Sequence, residues 1–206
     1  MKHFDKQAKE WNNDPKKTER AKIFAKEIIN FTNPKSTDTA LEFGCGTGLL
    51  SFQLKDAFKT ILLADNSKGM IDVLQEKIEK QHLLNFKPLL VDLLEEDLNI
   101  GTFNVIYMLM TLHHIINLEK VAKIFNSLLK TNGYVCIADL VEEDGSFHNK
   151  HPNFDGHNGF DKEKLSLLLI NNGFTIEHYK ICFEIEKNLE SETKKYPLFL
   201  MICKKQ

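Results

Sequence analysis

At 206 residues, with 42% apolar and 27% charged residues, the chain has the length of one domain and a composition ordinary for a globular protein. Its net charge of −2 draws it toward neither nucleic acid nor anionic lipid, and Arg20 is the only arginine, so the usual bidentate reader of phosphate and guanine is nearly missing. Neither a nucleic-acid nor a membrane partner is expected.

The start, "MKHFDKQAKEWNND", has no apolar h-region, and the longest apolar stretch, "VIYMLMTLHHII", is too short to span a bilayer. Cys45, Cys136, Cys182 and Cys203 are widely spaced and form no CxxC pair, which suits reduced thiols in a cytoplasmic protein.

In chain order, the first dozen residues are amphipathic, with Phe4 and Trp11 on one helical face. They read either as a helix docked on the body by two rings or as a lid over a ligand. A helix near 18–31 precedes the first strand. Strands are expected over 39–44, 60–65, 86–92, 103–110 and 134–140, with helices near 47–58, 67–82 and 117–130. Strands that are apolar nearly throughout, separated by helices, imply a doubly wound α/β parallel sheet covered on both faces.

After residue 141 the pattern changes. "VEEDGSFHNKHPNFDGHNGF" reads as a long loop, followed by a helix capped by Asp161 and ended by Gly173. The runs "FTIEHYKICFEIE" and "YPLFLMICKK" close the chain as an antiparallel hairpin. One domain over 1–206 is expected: a cap and first helices over 1–30, a cofactor-binding core over 38–140, and a substrate loop, helix and hairpin over 141–206.

The stretch "LEFGCGTGLLSF" places three glycines between a strand and a helix. That arrangement presents backbone N–H groups at the C-terminal edge of a sheet. The spacing is GxGxG, with Leu49 where the dinucleotide fingerprint has its last glycine, and no GK[ST] follows. Glu42, two residues before Gly44, would repel a phosphate and welcome an amine. Asp65 ends the next strand roughly twenty residues after Gly46, the spacing of a ribose-binding carboxylate. Asp92 ends the third strand, where it can accept from an exocyclic adenine amine. Any one such acid serves readily as a helix cap; three on successive strands point to a nucleoside with an amine-bearing or cationic tail and no phosphate.

At these residues the sequence resembles the class I S-adenosylmethionine-dependent methyltransferases, in particular the small-molecule branch with a type 11 methyltransferase domain. "LEFGCGTGLLS" is similar to that family's first motif, "LLADNSKGMI" to the second and "VDLLEEDL" to the third. The run from "FNVIYMLM" to "CIADL" resembles its fourth strand, helix and fifth strand. The resemblance implies a Rossmann-like seven-stranded, mostly parallel sheet with its last strand antiparallel. It also implies S-adenosyl-L-methionine as cofactor and S-adenosyl-L-homocysteine as product.

Carried over by position, Gly44, Cys45, Gly46 and Gly48 would let the backbone approach the methionine part, and Glu42 would order that loop and its amine contacts. Asp65 would hold the ribose, with Asn66 and Met70 flanking the adenine. Asp92 and Leu93 would read the adenine edge, and Met108 and Leu109 would line the space near the sulfonium. Two positions depart from the pattern: Asn104 stands where an aspartate is usual, and "KTNG" replaces the frequent Lys-Pro-Gly-Gly turn.

Methyl transfer from a sulfonium is an in-line displacement that needs alignment first and a general base only if the acceptor must lose a proton. His113 and His114, in "TLHHI" after the fourth strand, either act there or orient the loop and cap the next helix. His113 and His157 are taken as the catalytic candidates, and Phe4, Trp11 and His151 as substrate or lid residues. The spacing of His148, His151 and His157 is not a standard zinc pattern, so no metal is assigned. The expected activity is methyl transfer to a small molecule. The alternatives are a non-catalytic binder of the same cofactor, a nicotinamide oxidoreductase on a similar sheet, or a methyltransferase acting on protein or nucleic acid.

Overall fold

The computed structural model describes residues 2–96, 99–150, 153–189 and 192–206, with side chains from residue 4 onward. Helix α1 (Lys2–Gln7) leads through a 3-10 turn (Ala8–Asn13) into α2 (Pro15–Thr32). Asp14 caps α2 by accepting from the Lys16 N–H, and Pro15 opens it where its missing N–H costs nothing. Then come β1 (Thr39–Phe43), α3 (Leu49–Gln53), β2 (Thr60–Asp65), α4 (Lys68–Gln81) and β3 (Phe86–Leu90). The second half holds β4 (Phe103–Leu109), α5 (Leu118–Leu128), β5 (Leu129–Leu140), α6 (Lys162–Asn171), β6 (Phe174–Asn188) and β7 (Thr193–Lys205).

The described strands form one seven-stranded sheet in the order β3-β2-β1-β4-β5-β7-β6. Strands β1 to β5 pair in parallel, and β7 runs antiparallel between β5 and β6. Alternation along each strand sends side chains to two separate cores. On one face Ala40, Tyr107, Cys136 and Leu200 pack with Phe24 and Ile28 of α2, Leu50 of α3 and Leu74 of α4. On the other, Leu41, Ile106, Ile137 and Phe199 pack with Val121 and Phe125 of α5 and Leu165 and Leu169 of α6. Chain progression reverses between β1 and β4, and a ligand crevice forms at such a reversal, outside the carboxyl ends of the strands. No described helix is long and apolar enough to cross a membrane.

Several boundaries differ from the sequence expectation; β3 stops at Leu90, so Asp92 follows the strand by two residues and does not end it. The helix placed over 47–58 is cut to α3: the chain tightens into i→i+3 turns at Leu54 and Ala57, which brings both Leu54 and Phe58 into the core. Strand β5 begins five residues early, at Leu129, directly where α5 ends. The long loop after 141 folds back on itself, since Val141 bridges Phe160 and the Glu142 and Glu143 N–H groups donate to Phe160 and Asn158.

Gly48 adopts φ +77°, and a Cβ there would stand 2.8 Å from the Leu74 methyl and 3.3 Å from the Phe52 ring. Gly48→Ala is expected to cost about 2 kcal/mol through left-handed strain and overpacking. Urea unfolding will report it as a lower midpoint at unchanged m.

Candidate functional site

Turn residues 44–48 lie at the C-terminal end of β1. Gly44 (φ +69°) runs so close to the turn after β4 that a Cβ would sit 2.2 Å from Thr111 Cγ2. The Thr111 hydroxyl donates to the Gly44 carbonyl at 3.2 Å. On the other side, the Gly44 and Cys45 N–H groups donate to the Ala64 carbonyl at 2.9 and 3.0 Å. The Gly46 N–H donates to the Asp65 carboxylate at 2.7 Å, and the Gly48 N–H to the Cys45 carbonyl. Four amides of the loop are therefore engaged within the protein. The sequence reading took them as free for a ligand; hydrogen bonding to β2 and within the turn consumes them.

Asp65 also accepts from the Ser67 N–H at 2.8 Å, and each of its oxygens keeps a second lone pair for an outside hydroxyl. Burial raises its pKa, against the pull of those backbone donors. Next to it, the exposed Asn66 amide donates to Asp92 at 3.1 Å, and Asp92 takes the Leu94 N–H on its other oxygen. Leu93 is buried in the turn that follows. Met70 is buried with its sulfur 3.9 Å from where a Gly46 Cβ would stand, so it lies under the glycine turn. Cys45 is buried, and its thiol pKa is pushed well up by burial.

Glu42 differs from the expectation in both charge and contacts. It is 3% exposed, accepts from the Ser51 N–H at 3.2 Å and from the Ser51 hydroxyl, and that hydroxyl meets the Tyr107 hydroxyl at 2.6 Å. Burial raises its pKa to about 8, so near neutral pH the carboxyl is largely protonated. It ties β1 to α3 and β4, and it is not the fixed negative charge that the sequence argument used against phosphate. Lys77 donates to the Thr47 carbonyl at 2.7 Å, and burial lowers its pKa to about 8.

Met108 also moves from its expected place. It is 0% exposed and belongs to the core face with Phe43 and Ile137, because alternation at the end of β4 points it inward. Leu109 is half-buried against the opposite core. At this strand end it is Thr111 that meets the glycine loop, and its neighbour Met110 holds φ +58°. A non-glycine residue in that region is uncommon, and such strain gathers at functional turns.

The N-terminal segment covers this edge. Asp5 accepts from the Ser67 hydroxyl at 2.7 Å and the Gly69 N–H at 2.9 Å, while Asn12 accepts from the Thr47 hydroxyl at 2.7 Å. Trp11 places its indole nitrogen 3.9 Å from the would-be Gly46 Cβ, beneath the Lys17 ammonium. Phe4 stands edge-on to Trp11 at 5.9 Å and to His114 at 5.3 Å. The two rings meet as expected, although α1 gives way to a 3-10 turn between them.

His113 is 2% exposed, with Nδ1 2.6 Å from an oxygen of Asp139, whose second oxygen accepts the His113 N–H at 3.2 Å. Burial alone would raise the Asp139 pKa, but the His113 ring and the N–H groups of Leu140 and His113 outweigh it and hold it low. Sequence reading missed Asp139, although an acid ending the fifth strand was a visible signal. His157 is not aimed at a ligand: its N–H donates to the His113 carbonyl at 2.7 Å and its Nε2 meets the Ile115 carbonyl at 2.9 Å. It braces the turn that carries His113. His148, from the folded-back loop, comes within 5.2 Å of the His113 ring centroid. His151 lies outside the described residues.

With this geometry in place, comparison with known proteins gives the class. A family model described as "Methyltransferase domain" matches residues 17–179. An uncharacterized methyltransferase of Schizosaccharomyces pombe is 30% identical over 82% of this chain, and an uncharacterized methyltransferase of Anoxybacillus flavithermus is 31% identical over 55% of it. The chain spans 65% and 52% of the lengths of those two relatives. Phosphoethanolamine N-methyltransferase 2 of Haemonchus contortus, in complex with S-adenosyl-L-methionine, shares the fold: TM-score 0.72, 16% identity, covering 88% of this chain and 52% of that one. The chain belongs to the class I S-adenosylmethionine methyltransferase family.

Two outcomes follow from the contacts above. The folded protein holds a proton on Glu42 that the unfolded chain, with an ordinary value of 4.5, has released at neutral pH. The associated stability is full below about pH 4.5 and is lost as pH rises to about 8. Glu42→Gln removes that loss, so its stability should exceed the parent's progressively from pH 5 to 8, by a few kcal/mol at most, in denaturation curves taken across that range. Separately, a Cβ on Gly69 would come within 2.8 Å of the Asp5 backbone. Gly69→Ala should unseat the cap while leaving α4 sound. Amide exchange over residues 4–13 will rise while the melting temperature changes little.

Proposed function

We propose that the chain binds S-adenosyl-L-methionine at the β1–β2 edge and transfers its methyl group in line to a small-molecule acceptor seated at the histidine mouth. The observation that carries this reading is the hydrogen-bond accounting of the glycine loop. Its amides at Gly44, Cys45, Gly46 and Gly48 are engaged, and α3 behind it is only five residues long. A pyrophosphate needs such amides and a helix dipole, whereas a nucleoside needs acceptors for its hydroxyls and amine. Asp65 at the end of β2 and Asp92 just past β3 supply those acceptors. The glycine turn, free of Cβ atoms, supports close passage of the amino-acid tail, with Met70 beneath it and Asn66 and Leu93 beside the base.

His113 is the group that meets the acceptor, held in orientation by Asp139. His157 positions the turn, and Phe4 and Trp11 enclose the site. A small acceptor is favoured because Phe4, His114, His148 and Phe154 crowd the mouth, with Phe154 stacked on His148 at 3.7 Å. The four cysteines stand as free thiols, which favours a reducing compartment such as the cytoplasm.

Calorimetry on the purified chain should show binding of both S-adenosyl-L-methionine and S-adenosyl-L-homocysteine, weakened at least tenfold by Asp65→Ala, about 1.4 kcal/mol. Methyl-labelled cofactor with small-molecule extract should yield labelled product. His113→Asn should reduce turnover at unchanged cofactor affinity. Binding without any labelled product across a broad acceptor panel would make the chain a binder rather than an enzyme.

A further inference from the structure

The histidines at the mouth form a cluster that methyl transfer itself does not require. His113, His114 and His148 each bring one ring nitrogen into a group whose members all lie within 4.8 Å of one another. Ring centroids are 4.1 Å apart for His113–His114, 5.2 Å for His113–His148 and 6.0 Å for His114–His148. The first two residues come from the 3-10 turn after β4 (Leu112–His114), the third from the turn in the folded-back loop (Ser146–His148). We propose that these three imidazoles bind one divalent transition-metal ion of the zinc class, leaving its fourth position open to the acceptor side.

Three features of the structure support this. First, His113 is oriented as a metal-binding histidine is: a fully buried carboxylate holds Nδ1 at 2.6 Å, so Nε2 is the ring nitrogen left to ligate. Metal-bound histidines almost always donate their other N–H to such a partner, which fixes the tautomer and raises the basicity of the ligating nitrogen. Second, the other two rings are set by aromatic neighbours: Phe154 stacks on His148 at an interplanar angle of 11°, and Phe4 packs edge-on to His114. Third, His157 braces the ligand-bearing turn at two carbonyls, His113 and Ile115. In a tetrahedral zinc site the ligand nitrogens are spaced about 3.4 Å apart, so side-chain rotations that close the present separations by at most about 1.4 Å complete the set. An all-imidazole set suits zinc, copper, nickel or iron and not calcium or magnesium. Among the described residues the set numbers three protein ligands, the count of a catalytic rather than a structural zinc site.

The spacing of His148, His151 and His157 conceals this arrangement, because among the described residues the loop contributes His148 and the sheet edge brings it to a pair from another segment. This rests on the methyl-transfer reading above: with the ion bound, His113 meets the acceptor through the metal, whose open position would hold a hydroxyl or amine of the acceptor beside the sulfonium.

The test titrates Co2+, then Zn2+, into tag-free, chelator-stripped full chain with neither cofactor nor acceptor present. One Co2+ per chain with the visible bands of a four-coordinate ion, displaced by Zn2+, is the expected result. His114→Ala, at an exposed ligand whose loss leaves the core intact, and His148→Ala should each weaken binding at least tenfold. Asp139→Asn should weaken it about 10–100-fold. His178→Ala, outside the cluster, should leave it unchanged, and circular dichroism will verify folding throughout. No stoichiometric uptake at micromolar metal, or uptake undiminished in the His114→Ala/His148→Ala double variant, overturns the site. Metal uptake without methyl transfer would keep the site and remove the functional reading above; methyl transfer by metal-free protein with no uptake would do the reverse.

Discussion

The close approach of Gly44 to Thr111 is the contact on which the rest of the site depends. The turn after β1 is held to β2 through the Ala64 carbonyl and to the end of β4 through the Thr111 hydroxyl. A side chain at Gly44 would force those two strand ends apart, since its Cβ would overlap Thr111. With the approach intact, Asp65 reaches the Gly46 amide on one side. On the other, the chain leaves β4 through a left-handed Met110 and turns His113 toward Asp139. A single backbone constraint thus sets the Asp65 carboxylate and the His113 imidazole relative to one another.

Burial redistributes the electrostatics that residue identities suggest. Glu42 and Asp65 are both acids near the glycine turn, yet their environments push them to different roles. Glu42 has a serine, a tyrosine and the core around it, and its charged form is penalised until about pH 8. Asp65 accepts two backbone N–H groups beside the crevice, and those donors oppose the penalty of burial. The acid that stands at the crevice edge is Asp65. The other serves as a neutral hydrogen-bonding post between β1, α3 and β4.

Much of the fold was legible because parallel strands buried on both faces are written as continuous apolar runs, and helices such as α4 and α6 carry Ser67 and Asp161 caps at their starts. What was not legible was where local rules yield to long-range contact. Helix α3 has the apolar periodicity to continue, but Leu54 and Phe58 reach the core only if it stops. Met108 and Thr111 are close neighbours in sequence, and only the parity of β4 and the sharp turn at Met110 decide which of them faces the crevice. Asp65 at the end of β2 and Asp92 just past β3 were readable from spacing alone. Asp139 was visible as an acid near the end of the fifth strand, but its role, like that of His148, comes from His113, a partner on another segment.

The cap joins what the sheet edge sets side by side. Trp11 lies against the glycine turn, Phe4 lies between Trp11 and His114, and Asp5 and Asn12 anchor the segment to Ser67, Gly69 and Thr47. A ligand that enters beside Gly46 meets Trp11 directly, and any shift of that indole alters the packing of Phe4 on His114. The two half-sites therefore share one covering element whose position each can bias. Energetic coupling of that kind is reciprocal: whatever the donor ligand gains from an ordered cap, the acceptor side gains from the donor in equal measure. On the proposed reading, binding both ligands under one short segment, pinned by a few hydrogen bonds to side chains and backbone of α4 and the glycine loop, would favour the ternary arrangement over either half alone.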